Sequence, residues 1–287
     1  MNVKKITVIG AGIMGNGIAH VAAQAGFETI LNDISKEVLD KALASITKNL
    51  DKGIELGKLT EKEKYSTLIN LSLNDNLESS IRDADFIIEA VPEKIDLKIK
   101  IFTTLDKTCK PETIFTTNTS SLSITEIAAV TNRPQRCIGM HFFNPVHKMK
   151  LVEIIKTLET DETTIRTTQD VSLKMGKEIV TIKESPGFIT SRINAMIGNE
   201  AFYMLQEGIG SAKDIDTALK LGLNHPMGPF EMVDLVGLDT RLSILEYLHK
   251  SLGEKYRPCP LMIQYVKAGR LGRKVGKGVY DYSNEKK

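Results

Sequence analysis

The sequence predicts an α/β protein, a doubly wound sheet followed by an all-helical domain, and three observations support this. Short β-rich apolar runs alternate with helix-period segments through residues 1–184. A glycine-rich turn separates the first such run from the first helix. In residues 185–287, only helix-period stretches follow, and Pro and Gly punctuate them. We therefore expect two domains, divided near residue 184.

The strand runs of the first domain are short and apolar. They are predicted at ITVIG (6–10), ETILND (28–33), DFIIEAV (85–91), TIFTTN (113–118), RCIGMHFF (136–143), LVEII (151–155) and EIVTI (178–182). Alternation with helices, among them 12–26 and about 36–57, predicts parallel βαβ units with helices on both sheet faces. The second domain is expected to hold helices at 188–207, 211–221, about 229–252 and 260–268.

Composition excludes several classes of protein. The chain has 287 residues, 41% of them hydrophobic, and a net charge of +2, which gives no reason to expect nucleic acid or an anionic membrane as partner. No stretch approaches the roughly 20 apolar residues that a membrane helix needs, and MNVKKITVIG lacks a signal-peptide core. The three cysteines are widely spaced. We expect a cytoplasmic protein with reduced thiols and no bound metal.

The segment GAGIMG is a dinucleotide-binding fingerprint in the right context, because it follows a strand and opens a helix. Gly10 permits the tight turn, Gly12 lets a pyrophosphate approach the backbone, and Gly15 lets the helix pack closely. Ala11, Ile13 and Met14 complete the segment. Free N–H groups at the helix N-terminus would then bind the phosphates.

Asp33 ends the second predicted strand, 18 residues after Gly15, where the fingerprint requires an acid. Its carboxylate is expected to bind the adenosine ribose, and an acid instead of an arginine favours NAD over NADP. Asp33 could also cap the helix that begins near Lys36, and the two roles are compatible.

Polar side chains gather at the carboxyl ends of the next strands, where open parallel sheets bind ligands. Asn118 and Ser120 follow TIFTTN, and His141 ends RCIGMH. Ser123 and Glu126 have the spacing to cap the next helix, so Ser120 is not needed as a cap. Asn118 and Ser120 could instead be simple turn residues. Glu153 interrupts the apolar run LVEII, where an unpaired carboxylate is costly.

A hydrogen bond from His141 to Glu153 would remove that cost and fix the tautomer of the imidazole. His141 could then exchange a proton with a hydroxyl beside a nicotinamide, and such catalysis contributes roughly 10²–10⁴ in rate. A core histidine bonded to the backbone is the simpler alternative.

Seven segments occur in an order that resembles the (3S)-3-hydroxyacyl-CoA dehydrogenase family, and most closely its stand-alone bacterial 3-hydroxybutyryl-CoA members. They are GAGIMG, EAVPE, NTSSLSI, GMHFFNPVHKMKLVEI, SPGF, HPMGPFEMVDLVGLDT and GRKVGKGVYDY. The resemblance implies a Rossmann-like NAD-binding domain, an acyl-CoA substrate and a homodimer formed through the helical domain. It also implies that His141 is the acid/base, that Glu153 orients it and that Ser120 binds the substrate oxygen.

The resemblance further assigns cofactor contacts to Glu93, Lys98, Asn144 and Lys274. The family usually reads P-G-F-x-x-N-R, whose asparagine helps to hold the substrate carbonyl, but this chain has Ser191 at that position. Asn194, one helical turn later, could replace it.

Coenzyme A phosphates are implied near the long helix after Asp33. Its Lys41, Lys48 and Lys52 share one face. Interleaved acids make a simple solvated face an equally valid interpretation.

We expect an enzyme that interconverts (3S)-3-hydroxybutyryl-CoA and acetoacetyl-CoA with NAD. Three alternatives use the same fold: a dehydrogenase of a free hydroxy acid such as L-gulonate or carnitine, a structural protein of the lens-crystallin kind, and an NAD-binding sensor without turnover. A requirement for the CoA moiety, NADH binding and a measurable rate would separate them.

Overall fold

The structure is a computed structural model and describes residues 2–284. The chain divides into two compact units between Glu184 and Ser185. Each unit has its own buried apolar core.

The first unit contains the doubly wound sheet that the sequence predicts. Its strand order is β3-β2-β1-β4-β5-β6-β7-β8. Chain order reverses on either side of β1, which creates the crevice where such sheets bind ligands. The strands are β1 (Lys5–Ile9), β2 (Glu28–Asn32), β3 (Leu71–Asn74), β4 (Phe86–Glu89), β5 (Ile114–Thr117), β6 (Cys137–Phe142), β7 (Leu151–Lys156) and β8 (Glu178–Lys183).

Helices cover both faces of this sheet, so alternate strand residues enter two different cores. On β4, Phe86 and Ile88 pack into one core and Ile87 packs into the other. The helices are α1 (Ile13–Gln24), α2 (Lys36–Glu55), α3 (Glu61–Ile69), α4 (Leu77–Ile81), α5 (Ile95–Thr108), α6 (Ile124–Ala128) and α7 (Glu162–Lys174), with a 3₁₀ turn at Pro134–Arg136.

The expectation of parallel pairing throughout is wrong at one place. β7 runs antiparallel to β6, whereas the other six strand pairs are parallel. A parallel crossover needs a dozen or more residues, and the connection 143–150 is shorter than that. The chain therefore returns directly alongside β6.

Strand β3 was absent from the sequence-based prediction. Its four residues, LSLN, are exposed or only partly buried, so they lack a continuous apolar run. At the opposite edge, β8 places Glu178 and Lys183 at its two ends, and most of its side chains are exposed.

The second unit is mainly helical, with a core of its own. The helix expected over about 229–252 is two helices, because Gly237 interrupts it with φ +103°. The helices are α8 (Thr190–Gln206), α9 (Ala212–Gly222), α10 (Pro229–Val236), α11 (Leu238–Leu252) and α12 (Pro260–Lys267), with 3₁₀ turns at Glu254–Tyr256 and Arg273–Val275.

The last part of this unit departs from the all-helical expectation, because Lys277 forms β-bridges with Gly272 and Asp281. Buried Asp234 on α10 accepts hydrogen bonds from the backbone N–H groups of Val279 and Tyr280. These bonds hold the segment in place. None of the helices within residues 2–284 combines the length and apolar character needed to cross a membrane.

His20 is a buried polar residue on α1, with 3% of its surface exposed. Its ring stacks on that of His147 at a centroid distance of 5.8 Å, and neither ring nitrogen has a hydrogen-bond partner among residues 2–284. Burial, followed by the charges of His147 and Lys177, lowers the pKa of His20 from 6.5 to about 4. His20 is therefore neutral in the folded protein at neutral pH.

The neutral state of His20 predicts a loss of stability in mild acid. Between pH 6.5 and about 4 the unfolded chain binds a proton that the folded chain does not, so unfolding becomes easier as the pH falls. The loss should reach about 3 kcal/mol at the lower end of this range. Denaturant titrations across it should give a smaller pH slope for His20→Phe than for the wild type. Parallel curves for the two proteins would contradict the prediction.

Candidate active site

The turn after β1 has the geometry of a phosphate-binding loop. Gly10 has φ +96°, which residues with a side chain rarely adopt. A Cβ on Gly15 would collide with the carbonyl oxygen of Gly10, so glycine lets α1 pack directly against the turn. Ile13 and Met14 open α1, whose first N–H groups therefore point toward the turn.

Within this turn, neither the backbone conformation of Gly12 nor its packing against the protein requires a glycine. Its φ is −64°, ordinary for any residue, and a Cβ placed on it would meet no atom within 4 Å. Packing within the described residues would therefore admit a side chain at this position. A pyrophosphate that approaches the backbone would fill that space, so the turn fits NAD.

The carboxylate of Asp33 stabilises the glycine turn through hydrogen bonds. It accepts hydrogen bonds from the N–H of Ala11 at 2.8 Å and from that of Ser35 at 3.1 Å. Ser35, not Asp33, caps α2, because its hydroxyl accepts from the N–H of Val38. Asp33 thus links the phosphate turn to the end of β2, where it is only half-buried, and its contact with a ribose stays a prediction.

A cavity of about 800 Å³ opens at the crevice between the two halves of the sheet. This volume lies within the usual range of small-ligand sites. It is lined by Ile9, Gly10, Gly12, Ile13, Met14, Asn32, Asp33, Ile34, Val38, Leu77, Ala90, Val91, Pro92, Leu97, Lys100, Ile101 and Thr104.

A buried ion pair lies beside this cavity. The Lys98 ammonium, which is 0% exposed, donates to both carboxylate oxygens of Glu89 at 2.7 and 2.9 Å. Glu89 also accepts from the N–H of Val91 and the hydroxyl of Thr117. Lys98 is therefore held inside the protein, and its predicted contact with the cofactor stays a prediction. Glu89 was missed, although it is the lone acid in the apolar run FIIEAV (86–91), just as Glu153 is in LVEII.

Glu93 connects that ion pair to the serine-rich segment after β5. One of its oxygens lies 3.5 Å from Lys98 Nζ. The other accepts from the hydroxyl of Thr119 at 2.6 Å, from the N–H of Ser120 at 2.9 Å and, more weakly, from the Ser120 hydroxyl at 3.3 Å. Ser120 is half-buried. Its backbone is fixed more firmly than its hydroxyl.

Two further residues fix the ends of this segment. Asn118 Oδ1 accepts from the N–H of Phe142 at 2.8 Å, which ties the end of β5 to the end of β6. Ser123 caps α6 by accepting from the N–H of Glu126. Glu184, which is distant in the chain, also binds the N-terminus of α6, because its carboxylate accepts from the N–H groups of Ile124 and Thr125. Sequence spacing gave no signal for Glu184.

His141 and Glu153 face each other across the antiparallel pair β6–β7, where they are register partners. Nδ1 of His141 lies 2.8 Å from Oε2 of Glu153. A carboxylate can only accept, so Nδ1 carries the proton. Glu153 is 1% exposed and His141 is also buried. The buried carboxylate thus has a partner at the carboxyl end of β6.

Asn144 is exposed and lies in the connection between the strands of His141 and Glu153, and its peptide bond to Pro145 is cis. Among the lysines of α2, Lys41 pairs with Glu37 and Lys52 with Glu55. Lys48 lies in a shallow groove between Asp40 and Asp51, together with Leu43, Ala44 and Thr47. These ion pairs within α2 are consistent with a helix face that is exposed to solvent. The contact between these lysines and coenzyme A stays a prediction.

Three predicted residues belong to the second unit. Ser191 and Asn194 are half-buried in the first turns of α8, three positions apart on one face. Lys274 donates to both carboxylate oxygens of Asp239 at 2.6 Å.

The doubly wound sheet and the glycine turn with open space beside Gly12 are the features of an NAD-binding domain, and the buried His–Glu pair is compatible with a dehydrogenase of alcohols and ketones. Family models match nearly the whole chain: the NAD-binding domain of 3-hydroxyacyl-CoA dehydrogenase over residues 5–185, and the C-terminal domain of the same enzyme over residues 187–282. The chain belongs to the 3-hydroxyacyl-CoA dehydrogenase family.

Individual relatives agree over their full length. A Bacillus subtilis protein is 50% identical over 286 residues, which cover 99% of either chain. The 3-hydroxybutyryl-CoA dehydrogenase of Bradyrhizobium diazoefficiens is 47% identical over 285 residues, covering 99% of this chain and 97% of that protein. The crystal structure of the (S)-3-hydroxybutyryl-CoA dehydrogenase of Ralstonia eutropha matches with a TM-score of 0.96 and 44% identity, covering 99% of this chain and 100% of that one.

The glycine turn yields a paired prediction. Gly12→Ala should leave the melting temperature unchanged, because the added methyl meets nothing in the protein, yet it should weaken NADH binding about tenfold or more, or 1.4 kcal/mol. Gly15→Ala should lower stability by about 1–3 kcal/mol through its collision with the Gly10 carbonyl. Thermal melts and NADH fluorescence titrations would check both variants. Wild-type NADH affinity in Gly12→Ala would contradict the proposed use of that space.

Proposed function

We propose that this chain interconverts (3S)-3-hydroxybutyryl-CoA and acetoacetyl-CoA with NAD, and that His141 is the general acid/base. The observation that carries the proposal is the buried 2.8 Å contact between His141 Nδ1 and Glu153 Oε2 at the carboxyl end of β6. The printed names of the Bradyrhizobium and Ralstonia relatives support the choice of substrate.

The geometry of the pair predicts a different role for each ring nitrogen of His141. Because Glu153 engages Nδ1, the nitrogen that exchanges a proton with the substrate hydroxyl is Nε2. When His141 takes that proton it becomes a buried cation, which the adjacent carboxylate stabilises. Bound NAD supplies the site that accepts the hydride from the alcohol carbon.

Ser120 is proposed to bind the substrate oxygen. Its N–H bond to Glu93 is short, whereas its hydroxyl bond to the same oxygen is long, at 3.3 Å. The hydroxyl can therefore turn toward a substrate oxygen while the backbone stays in place. A donor that is already positioned stabilises the negative charge that develops on this oxygen during reduction.

The remaining assignments are proposals of the same kind. Contacts with the cofactor are assigned to four residues: Glu93, Asn118, Asn144 and Lys274. Lys98 would act indirectly, through Glu89 and Glu93. Ser191 or Asn194 would take the place of the family asparagine, and Lys48 and Lys52 would bind coenzyme A.

A cytoplasmic homodimer formed through residues 185–287 completes the proposal. Large apolar side chains are exposed on the second unit, among them Leu221 (82% exposed) and Leu223 (67% exposed). These side chains would be buried if the interface of the proposed dimer included them.

The reaction is tested by the loss of NADH absorbance with acetoacetyl-CoA. His141→Gln should lower the rate by about 10² or more, the scale of general acid–base catalysis, while NADH still binds. His249→Gln is the matched control, since His249 lies in a solvent-exposed pair with Glu254. A rate that survives in His141→Gln would refute the role of His141.

Acetoacetate without CoA separates this enzyme from a dehydrogenase of free hydroxy acids, and it should give no rate. Equal rates with the acid and the thioester would overturn the substrate assignment. NADH binding without any turnover would indicate a sensor.

Self-association predicts a particular mass in solution. Light scattering should give twice the mass of one chain, and Leu223→Glu should shift this value toward the monomer, because burying a charge at an apolar interface is costly. Lys58→Glu, on the surface of the first unit, is the control. A monomeric wild type would contradict the dimer.

A further inference from the structure

Residues 143–150 join the strand of His141 to the strand of Glu153. The connection also contains Asn144, to which the family resemblance assigns a cofactor contact. A shift of this connection would therefore move both partners of the His–Glu pair and Asn144 together.

One side of the connection packs on α1, the helix whose N-terminus meets the glycine turn. A Cβ on Gly17 would lie 2.9 Å from Cβ of Val146, so the two backbones approach closely. The ring of His147 stacks on that of His20, which is buried in the same helix.

Lys177, in the turn before β8, holds the other side. Its ammonium donates to the carbonyl oxygens of Val146 at 2.5 Å and Met149 at 2.9 Å. The connection's own turn uses a different carbonyl, that of Pro145, which accepts from the N–H groups of Lys148 and Met149. Lys177 therefore adds bonds that the local backbone does not make.

The placement of this lysine is costly for the fold alone. Lys177 is 6% exposed, burial lowers its pKa, and it forms no ion pair with a carboxylate among residues 2–284. Lys98, which is also buried, has Glu89 beside it. An apolar side chain of similar length would fill the position of Lys177 without the cost of burying a charge. What such a side chain could not do is bind two carbonyls of the connection.

We propose that Lys177 is a positioning residue for the reaction. It fixes the connection 143–150, and through it the mutual placement of His141, Glu153 and Asn144. The proposal rests on the function proposed for His141 and Glu153.

The test compares Lys177→Met with Lys174→Met. Lys174 is exposed, and its ammonium lies 4.0 Å from the centroid of the Phe27 ring. Lys177→Met removes the donor of two carbonyl oxygens and should lower the melting temperature moderately. In the molecules that remain folded, kcat with acetoacetyl-CoA should fall about tenfold or more and the Kd for NADH should rise several-fold. Amide hydrogen exchange of the 143–150 peptide should accelerate in this variant. Lys174→Met should match the wild type in all four measurements.

Lys177→Arg provides the conservative comparison, because it retains N–H donors that can reach the carbonyls. Partial recovery of kcat and of amide protection in Lys177→Arg would support the role. A merely structural lysine would lower the folded fraction and leave kcat per folded molecule and the Kd for NADH unchanged.

The proposal would be overturned if Lys177→Met had the kcat, the NADH affinity and the amide hydrogen exchange of the wild type. It would also be overturned if the activity of this variant fell only in proportion to its folded fraction. Failure of both Lys177 variants to fold would be a third contradiction. If the wild type shows no turnover, the proposed function fails separately. NADH binding and hydrogen exchange then still decide whether Lys177 fixes the connection.

Discussion

The length of the connection between β6 and β7 determines the geometry of the candidate site. A longer connection could have crossed over the sheet and returned parallel, as the earlier strands do. Because it cannot, β7 runs back beside β6, and Glu153 comes directly opposite His141. The antiparallel step near the end of a parallel sheet is thus what provides a partner for each of these two buried polar residues.

The first unit contains two buried carboxylates in apolar strands, and each has its own solution to the cost of burial. Glu89 is neutralised by Lys98 and bound by neighbouring donors. Glu153 has a histidine, whose charge can change during a reaction. The first arrangement is suited to holding Glu93 and the serine-rich segment in place. The second is suited to moving a proton.

Local pattern was sufficient for most of the fold. The apolar runs, the glycine turn and the acid after the second strand are signals carried by neighbouring residues, and the doubly wound sheet predicted from them is confirmed. The direction of β7 was predicted wrongly because the alternation of strands and helices does not take account of the length of the connection between β6 and β7. Strand β3 was missed because a short, half-exposed edge strand has almost no apolar signature.

The supporting residues of the site were harder to predict, since their partners are distant in the chain. Glu184 binds the N-terminus of α6 from the end of β8, and Lys177 binds carbonyls 31 and 28 positions away. Such bonds leave no spacing in the sequence. Glu89 is different, because the anomaly of an acid in an apolar run was visible there as well.

The charged ends of β8 have a consequence for how copies of this chain can meet. An edge strand offers unpaired backbone groups to any neighbouring strand, and charged side chains discourage that pairing. With Glu178 and Lys183 at its ends, β8 is a poor template for joining two sheets into one continuous ribbon. Charges at these positions disfavour the edge-to-edge strand pairing from which fibrous aggregates grow.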